Sequence, residues 1–466
     1  MLRASAAAER AGIPSASLTC EGFIRQFKAT AVGLGLPGIQ PALVPGHSGL
    51  QTTEELRHNV LTVTLDEVIR CLTAPIAAAD GTNAEPGARD IVFQGDIDAV
   101  NRLFIEREWS DGLPVIPPTR ARIERFLRYV DRDPDEVLGV MLPDRREATI
   151  WSVAVNGVMA GCRPEYMPLL VTIVEAMADP EYGVEHSGNT PGADTLIMLN
   201  GPLVQELGVN TGQGVMRDGF QANTSVGRFF RLMLRNVAGF LPHQTDKGTF
   251  GNTWRVMIAE NEVLLPESWP PNSVEMGHAA GDNVVTIARY TGGNVFVSVQ
   301  GDPETVLLPY VADVVRQQIS WHLMFTVSQA YDKLRPLVLL TPLIAGSLAK
   351  DGWSKADVKR FLFEHTRVTA REFEHTLLRI GRTQWRLTEQ VAQGLMPAIF
   401  AESDDPERLV PLVWRPDDFM ILVTGDPMRN NAYAFSQNGN LGYPVAKKIR
   451  LPANWQALRA EDSAKT

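Results

Sequence analysis

The chain has 466 residues, of which 44% are hydrophobic and 21% charged, a balance that excludes a disordered tail, a collagen-like rod and a coiled coil and allows two or three domains. Forty-four Lys and Arg stand against 54 Asp and Glu, a formal charge of -10 that argues against a broad nucleic-acid footprint. No apolar run approaches the roughly 18 residues that span a bilayer.

The N-terminus, MLRASAAAERAGIPSAS, has no apolar core of a secretory signal, so a cytoplasmic location is expected. From there the pattern predicts a helix over 3–11, a strand over 15–20, a helix over 21–32, a strand over 39–44 and a helix over 52–72. This is a partial αβαβα unit occupying 1–74. Two parallel strands make a poor sheet, so its open edge calls for the remaining chain or a second subunit. A Pro- and Gly-bearing linker over 75–95 follows, and it separates this unit from a larger α/β body.

Beyond the linker, helices are expected over 96–109, from about 119, over 147–160 and over 164–178. Strands follow at 195–199, 254–260, 284–288 and 295–299, with helices over 222–237 and 303–330 between and after them. The segment 336–410 reads as a charged helical insertion or lid on the body 96–335, and a strand at 418–424 opens a return segment, 411–466. The expected class is therefore α/β, with no fixed-period repeat.

Two strand exits carry the most chemistry. The run LIMLNGPLVQELGVNTGQGVMRDGFQANTSVGR, 196–228, leaves a buried strand at Asn200 and passes through Asn210, Gly212 and Gly214, with little side-chain bulk over its backbone N–H groups. Such a loop suits an anion. Asn223, Thr224 and Ser225 stand where a helix begins, and Arg217 and Arg228 offer forked donors to a carboxylate or phosphate. The second exit, MILVTGDPMRNNAYAFSQNGNLG, places Gly425, Asp426, Arg429, Asn430 and Tyr433 at and beyond the carboxyl end of a strand, where open α/β sheets bind ligands.

Asp111, His278, Asp282 and Asp426 are the candidate proton carriers. Cys20, at a strand end, and Cys162, between a helix and Pro164, are the candidate reactive thiols. The three cysteines form no CxxC pair and the eight histidines no HxH, HxxxH or HExxH, so no metal site is expected. No flavin, nicotinamide or Walker fingerprint occurs, and the cofactor stays open.

The phrases GIPSASLTCEGF, LGLPGIQPALVPGHSGL and DEVIRCLT within 3–73 resemble the later part of UGSC-family (seleno)proteins. WSDGLPVIPPT, NGVMAGCRPEYMP, LNGPLVQELGVNTG, ANTSVGRFFRLMLRNVAG and IAENE, from about residue 100 onward, look like proteins often encoded beside them. The resemblance implies a redox- or thiol-linked small-molecule enzyme, yet the namesake Cys-Gly-Ser-Cys occurs nowhere in this chain. Two functions follow. One is an enzyme acting on a small carboxylate, acyl or carbonyl compound, an oxidoreductase ahead of a lyase or hydrolase. The other is a non-catalytic binding or scaffold subunit of a thiol- or selenol-dependent complex. A homo-oligomer or hetero-complex suits either, and the first requires the loops at 210–225 and 425–433 to converge and form one shared polar cavity.

Overall fold

The computed structural model describes residues 2–76, 86–319, 332–379, 385–436 and 442–463. The N-terminal unit follows the expected order: α1 (Leu2–Arg10), β1 (Ser17–Cys20), α2 (Ile24–Gly33), β2 (Pro41–Val44), then α3 (Thr53–Asn59), joined through a π turn to α4 (Leu65–Thr73). Thr52 and Glu55 close a reciprocal capping box that starts α3. β1 and β2 pair in parallel, with Ser17 opposite Pro41 and Cys20 opposite Val44. Phe27, Ala31 and Ile39 form a small core of their own.

The body begins with α5 (Ile97–Glu106), α6 (Arg120–Leu127), the hairpin β3 (Val137–Met141) and β4 (Arg146–Thr149), α7 (Ile150–Ala160) and α8 (Met167–Met177). The helix expected from 147 starts three residues later: Glu147 to Thr149 lie in β4, and the Thr149 hydroxyl accepts from the Ser152 backbone N–H to cap α7.

Next come β5 (Asp194–Asn200), α9 (Leu203–Glu206), α10 (Gln221–Met233), β6 (Met257–Ala259), α11 (Asn272–Glu275), β7 (Val284–Tyr290) and β8 (Gly292–Phe296). Then follow α12 (Leu308–Ile319), β9 (Leu337–Leu340), α13 (Pro342–Lys350), α14 (Lys355–His365), β10 (Arg367–Thr369), α15 (Ala370–Arg379) and α16 (Leu387–Ala392). β11 (Leu409–Pro411), β12 (Met420–Val423), β13 (Ala432–Ser436), β14 (Val445–Lys448) and α17 (Trp455–Ser463) complete the chain. The far part of the helix expected to reach 330 lies outside the described residues.

Two four-stranded sheets form the centre, in the orders β14-β7-β5-β6 and β12-β9-β13-β8. Each has the same construction. A central strand, β5 or β9, pairs in parallel with an edge strand reached through helices, β6 or β12, and antiparallel with the strand after that, β7 or β13. The fourth strand is exchanged: β8 leaves the first half to pair with β13, and β14 leaves the second to pair with β7. The body is thus a duplicated unit, a repeat of topology that no sequence period announces.

Strand alternation then builds the layers. Leu196, Met198, Ile258 and Ala288 meet Leu337, Leu339, Met420 and Leu422 between the sheets. Ile197, Leu199, Met257 and Ile287 turn outward to pack with residues of α7, α8 and α10. Val338, Leu340, Ile421 and Val423 do the same with α12, α13 and α14. The architecture is four-layered, helices outside and two sheets within, and β9 corrects the reading of 336–410 as purely helical. Four consecutive buried apolar residues carry no period, so their strand character emerges only from pairing.

Candidate functional site

In each parallel pair the two strands end on the same side of their sheet, and the carboxyl ends of the edge strands β6 and β12 cross. The Asn261 N–H donates to the Val423 carbonyl at 2.8 Å, and the Thr424 hydroxyl donates to the Ala259 carbonyl at 2.8 Å. The Gly425 N–H and the Thr424 hydroxyl both reach the Thr211 carbonyl, at 2.9 and 3.2 Å. The two loops singled out in the sequence therefore touch. They do so by direct hydrogen bonds, with Val215 of the first loop packed into the layer between the sheets.

A buried polar network lies under this crossing. Asn200 and Glu260 each have 0% exposure. Asn200 Nδ2 donates to Glu260 Oε2 at 2.7 Å and to Glu262 Oε1 at 2.8 Å, and the Gly201 N–H donates to the same Glu262 oxygen at 2.9 Å. Glu260 also accepts from the backbone of Asn272 at 2.6 Å and of Val423 at 3.3 Å. Its countercharge is Lys355 Nζ, 3.6 Å away and itself buried, which makes a closer pair with Glu275 at 2.9 Å. Lys359 pairs with the other Glu275 oxygen at 2.7 Å. Buried carboxylates persist only when paired and hydrogen-bonded in this way. Gly201 permits the turn: its φ is +95°, and a Cβ there would stand 2.4 Å from the Asp282 carbonyl.

The other expected residues have specific places. Asn223 is buried, exchanges hydrogen bonds with the Asn210 backbone at 2.9 and 3.0 Å, and donates to the Met257 carbonyl, clamping the loop to β6. The helix expected from 222 starts at Gln221, so Asn223 and Thr224 sit within its first turn. The loop amides have internal partners: the Gly212 N–H donates to Asn210 Oδ1 and the Gly219 N–H to Thr224 Oγ1. Gly214 accepts at its carbonyl from the Arg217 N–H, and the Arg217 side chain is exposed.

Arg228 and Asp111 find each other, through Nε to Oδ2 at 3.0 Å and Nη2 to Oδ1 at 2.8 Å. Burial pushes the Asp111 carboxyl up, but the guanidinium fork overrides it and holds the carboxyl below its ordinary range. Asp282 lies beside Gly201 but turns its carboxylate to Lys448, whose hydrogen bond lowers it. The His278 backbone N–H donates to the Ser273 carbonyl. Asp426 Oδ1 accepts from the Met428 N–H, and Arg429, largely exposed, stands 3.9 Å from its other oxygen. Asn430 donates to Gln300, and Tyr433, its hydroxyl raised by burial, stacks at a tilt on Phe435. Burial pushes the Cys162 thiol up to about 12, which keeps it protonated at neutral pH, whereas Cys20 is part-exposed and lies 3.9 Å from the Ser48 hydroxyl.

Glu260, Glu262 and Lys355 were missed by site reasoning. A signal was present for the first two, because Met257–Ala259 runs directly into Glu-Asn-Glu just as 420–423 runs into Thr-Gly-Asp. Nothing local marks Lys355, which approaches from a helix nearly a hundred residues on.

These features define a four-layer α/β/β/α protein whose buried Asn and Arg side chains make polar contacts of the kind a ligand-binding pocket uses. Residues 1–74 match the UGSC family. The match stops there and does not extend into the segment opened by WSDGLPVIPPT. No curated protein and no solved structure matches the chain. Among the described residues no helix is long and apolar enough to cross a membrane.

Proposed function

We propose that the chain is an enzyme acting on a small carboxylate, acyl or carbonyl compound, bound where the carboxyl ends of β6 and β12 cross. The crossing itself carries the proposal: it brings one acidic residue from each half, Glu262 and Asp426, three positions beyond the ends of equivalent strands. In this reading Glu262, half-buried and oriented by Asn200 and the Gly201 N–H, moves the proton, and Asp426 flanks the bound compound. The UGSC-like unit favours redox- or thiol-linked chemistry, with an oxidoreductase ahead of a lyase or hydrolase.

Thermal shift against small carboxylates, 2-oxo acids and thioesters tests the proposal, using the wild type, Glu262→Gln and Asp426→Asn. At a hundredfold excess over Kd a true ligand adds about 2.7 kcal/mol, a shift of several degrees. The expected result is a shift in the wild type that one or both variants lose. Shifts of equal size in all three proteins, or in none, overturn the proposal.

A second reading, the non-catalytic subunit, is favoured by one observation. Leu61, Leu65, Ile69 and Leu72 form an exposed stripe along the helix that runs through α3 and α4, and Leu18 of β1 is exposed in the same unit. A stripe at this spacing is what a partner covers.

A further inference from the structure

The hydrogen-bond donors at the crossing already have partners within the protein. Asn200 Nδ2 serves Glu260 and Glu262, the Gly201 N–H serves Glu262, and the Asn272 and Val423 N–H groups serve Glu260. The Thr424 hydroxyl donates to Ala259 and the Thr341 hydroxyl to the Arg429 carbonyl. The acceptors are in a different position. Among the described residues, Asn200 Oδ1, which is fully buried, makes no hydrogen bond, and neither does Glu262 Oε2.

The Asn200 amide cannot turn over to relieve this. Reversal would aim its oxygen at two carboxylates and remove the only donor they share, so the charges around it fix Oδ1 where it is. The wider cluster has the same polarity, since three carboxylates, Glu260, Glu262 and Glu275, face two ammonium groups, Lys355 and Lys359.

We propose that this corner receives a protonated amine of the substrate, whose N–H groups donate to Asn200 Oδ1 and Glu262 Oε2. The inference rests on the reading of the crossing as the binding site and names the group recognised there. A bare divalent cation suits it poorly, because hard cations take about six or more oxygens and two are on offer here. Among the described residues no group of three or more His, Cys, Asp or Glu is arranged around a metal position. An anion suits it less, since Arg228 is held by Asp111 and the Arg217 and Arg429 side chains are exposed.

Glu262, half-buried on the loop that follows β6, is the more accessible of the two acceptors. The same loop walls an open groove of about 580 Å³, lined by Leu264, Pro266 and Ser268 on one side and by Ala349 and Lys350 of α13 on the other.

Calorimetric titration of matched pairs tests the assignment: glycine against acetate, β-alanine against propionate, 4-aminobutyrate against butyrate, and methylammonium and potassium chloride alone. The expected result is that an amino compound binds the wild type at least tenfold more tightly than its deaminated partner, and that Glu262→Gln removes this preference. Glu262→Ala serves as the second variant, with circular dichroism reporting its fold. Equal or tighter binding of the deaminated acids, with Glu262→Gln altering their affinity, overturns the amine assignment and leaves the site standing. Potassium competing with the amine at equal concentration also overturns it, in favour of a simple cation site. If no probe binds and the thermal-shift series is also flat, the reading of the crossing falls together with the inference.

Discussion

Asp111 and Arg228 show how one residue's chemistry is rewritten by a neighbour distant in sequence. Each attracts attention alone, the aspartate as an acid and the arginine as an anion grip. Folded, they form a bidentate pair that fastens α10 to the segment before α6, with Arg228 also donating to the Pro114 carbonyl at 2.8 Å. Both are largely buried, at 10% and 18% side-chain exposure, so removing one partner strands the other's charge. Arg228→Ala is therefore expected to lose about 3 kcal/mol of stability at neutral pH. Because the pair depresses the folded carboxyl, its contribution is complete above the ordinary Asp value. It disappears as pH falls through the lower folded value. Urea denaturation should show a wide gap between wild type and variant at pH 7 that narrows below about pH 4. A gap unchanged in acid would mean that the arginine contributes by packing and not by charge.

At the level of elements, the N-terminal unit was the most legible part of the chain. Its two helix-bounded strands follow local signals: Gly12 and Pro14 after α1, the Thr52 capping box before α3, and β-prone runs between. Those signals also leave the exposed stripe of Leu61, Leu65, Ile69 and Leu72. The double variant Leu65→Glu, Ile69→Glu should leave the unfolding free energy within about 0.5 kcal/mol of the wild type, since both side chains are solvent-facing. If the unit is an assembly surface, light scattering after copurification from the native host should show the complex dissociate in that variant. An identical mass for both proteins would remove the subunit reading. β9 illustrates the opposite case: LVLL, flanked by helix-forming sequence, becomes a central strand only because β12 and β13 flank it on either side.

Over the whole molecule, the exchange of β8 and β14 makes each half dependent on the other. A cut at Gly301–Asp302, in an exposed turn, separates a fragment ending after β8 from one ending after β14. Neither fragment alone can complete its sheet, and each would expose its share of the apolar layer between the sheets. Co-expressed fragments should co-elute with a native circular dichroism spectrum, while each alone aggregates. A monomeric, folded 302–466 would contradict the interdependence.

What the amino-acid order settled unaided was local and periodic: the αβαβα opening, the buried strand over 195–199, and the two polar exits at strand ends, because turn residues and apolar runs act over a few positions. Which exits meet was decided by the tertiary structure, since pairing of β6 with β5 and of β12 with β9 sets the crossing, and pairing energies between distant segments leave no trace in a local pattern. The same reason hid Lys355. A buried charge is acceptable only beside its partner, and that partner, Glu260, arrives from another part of the chain.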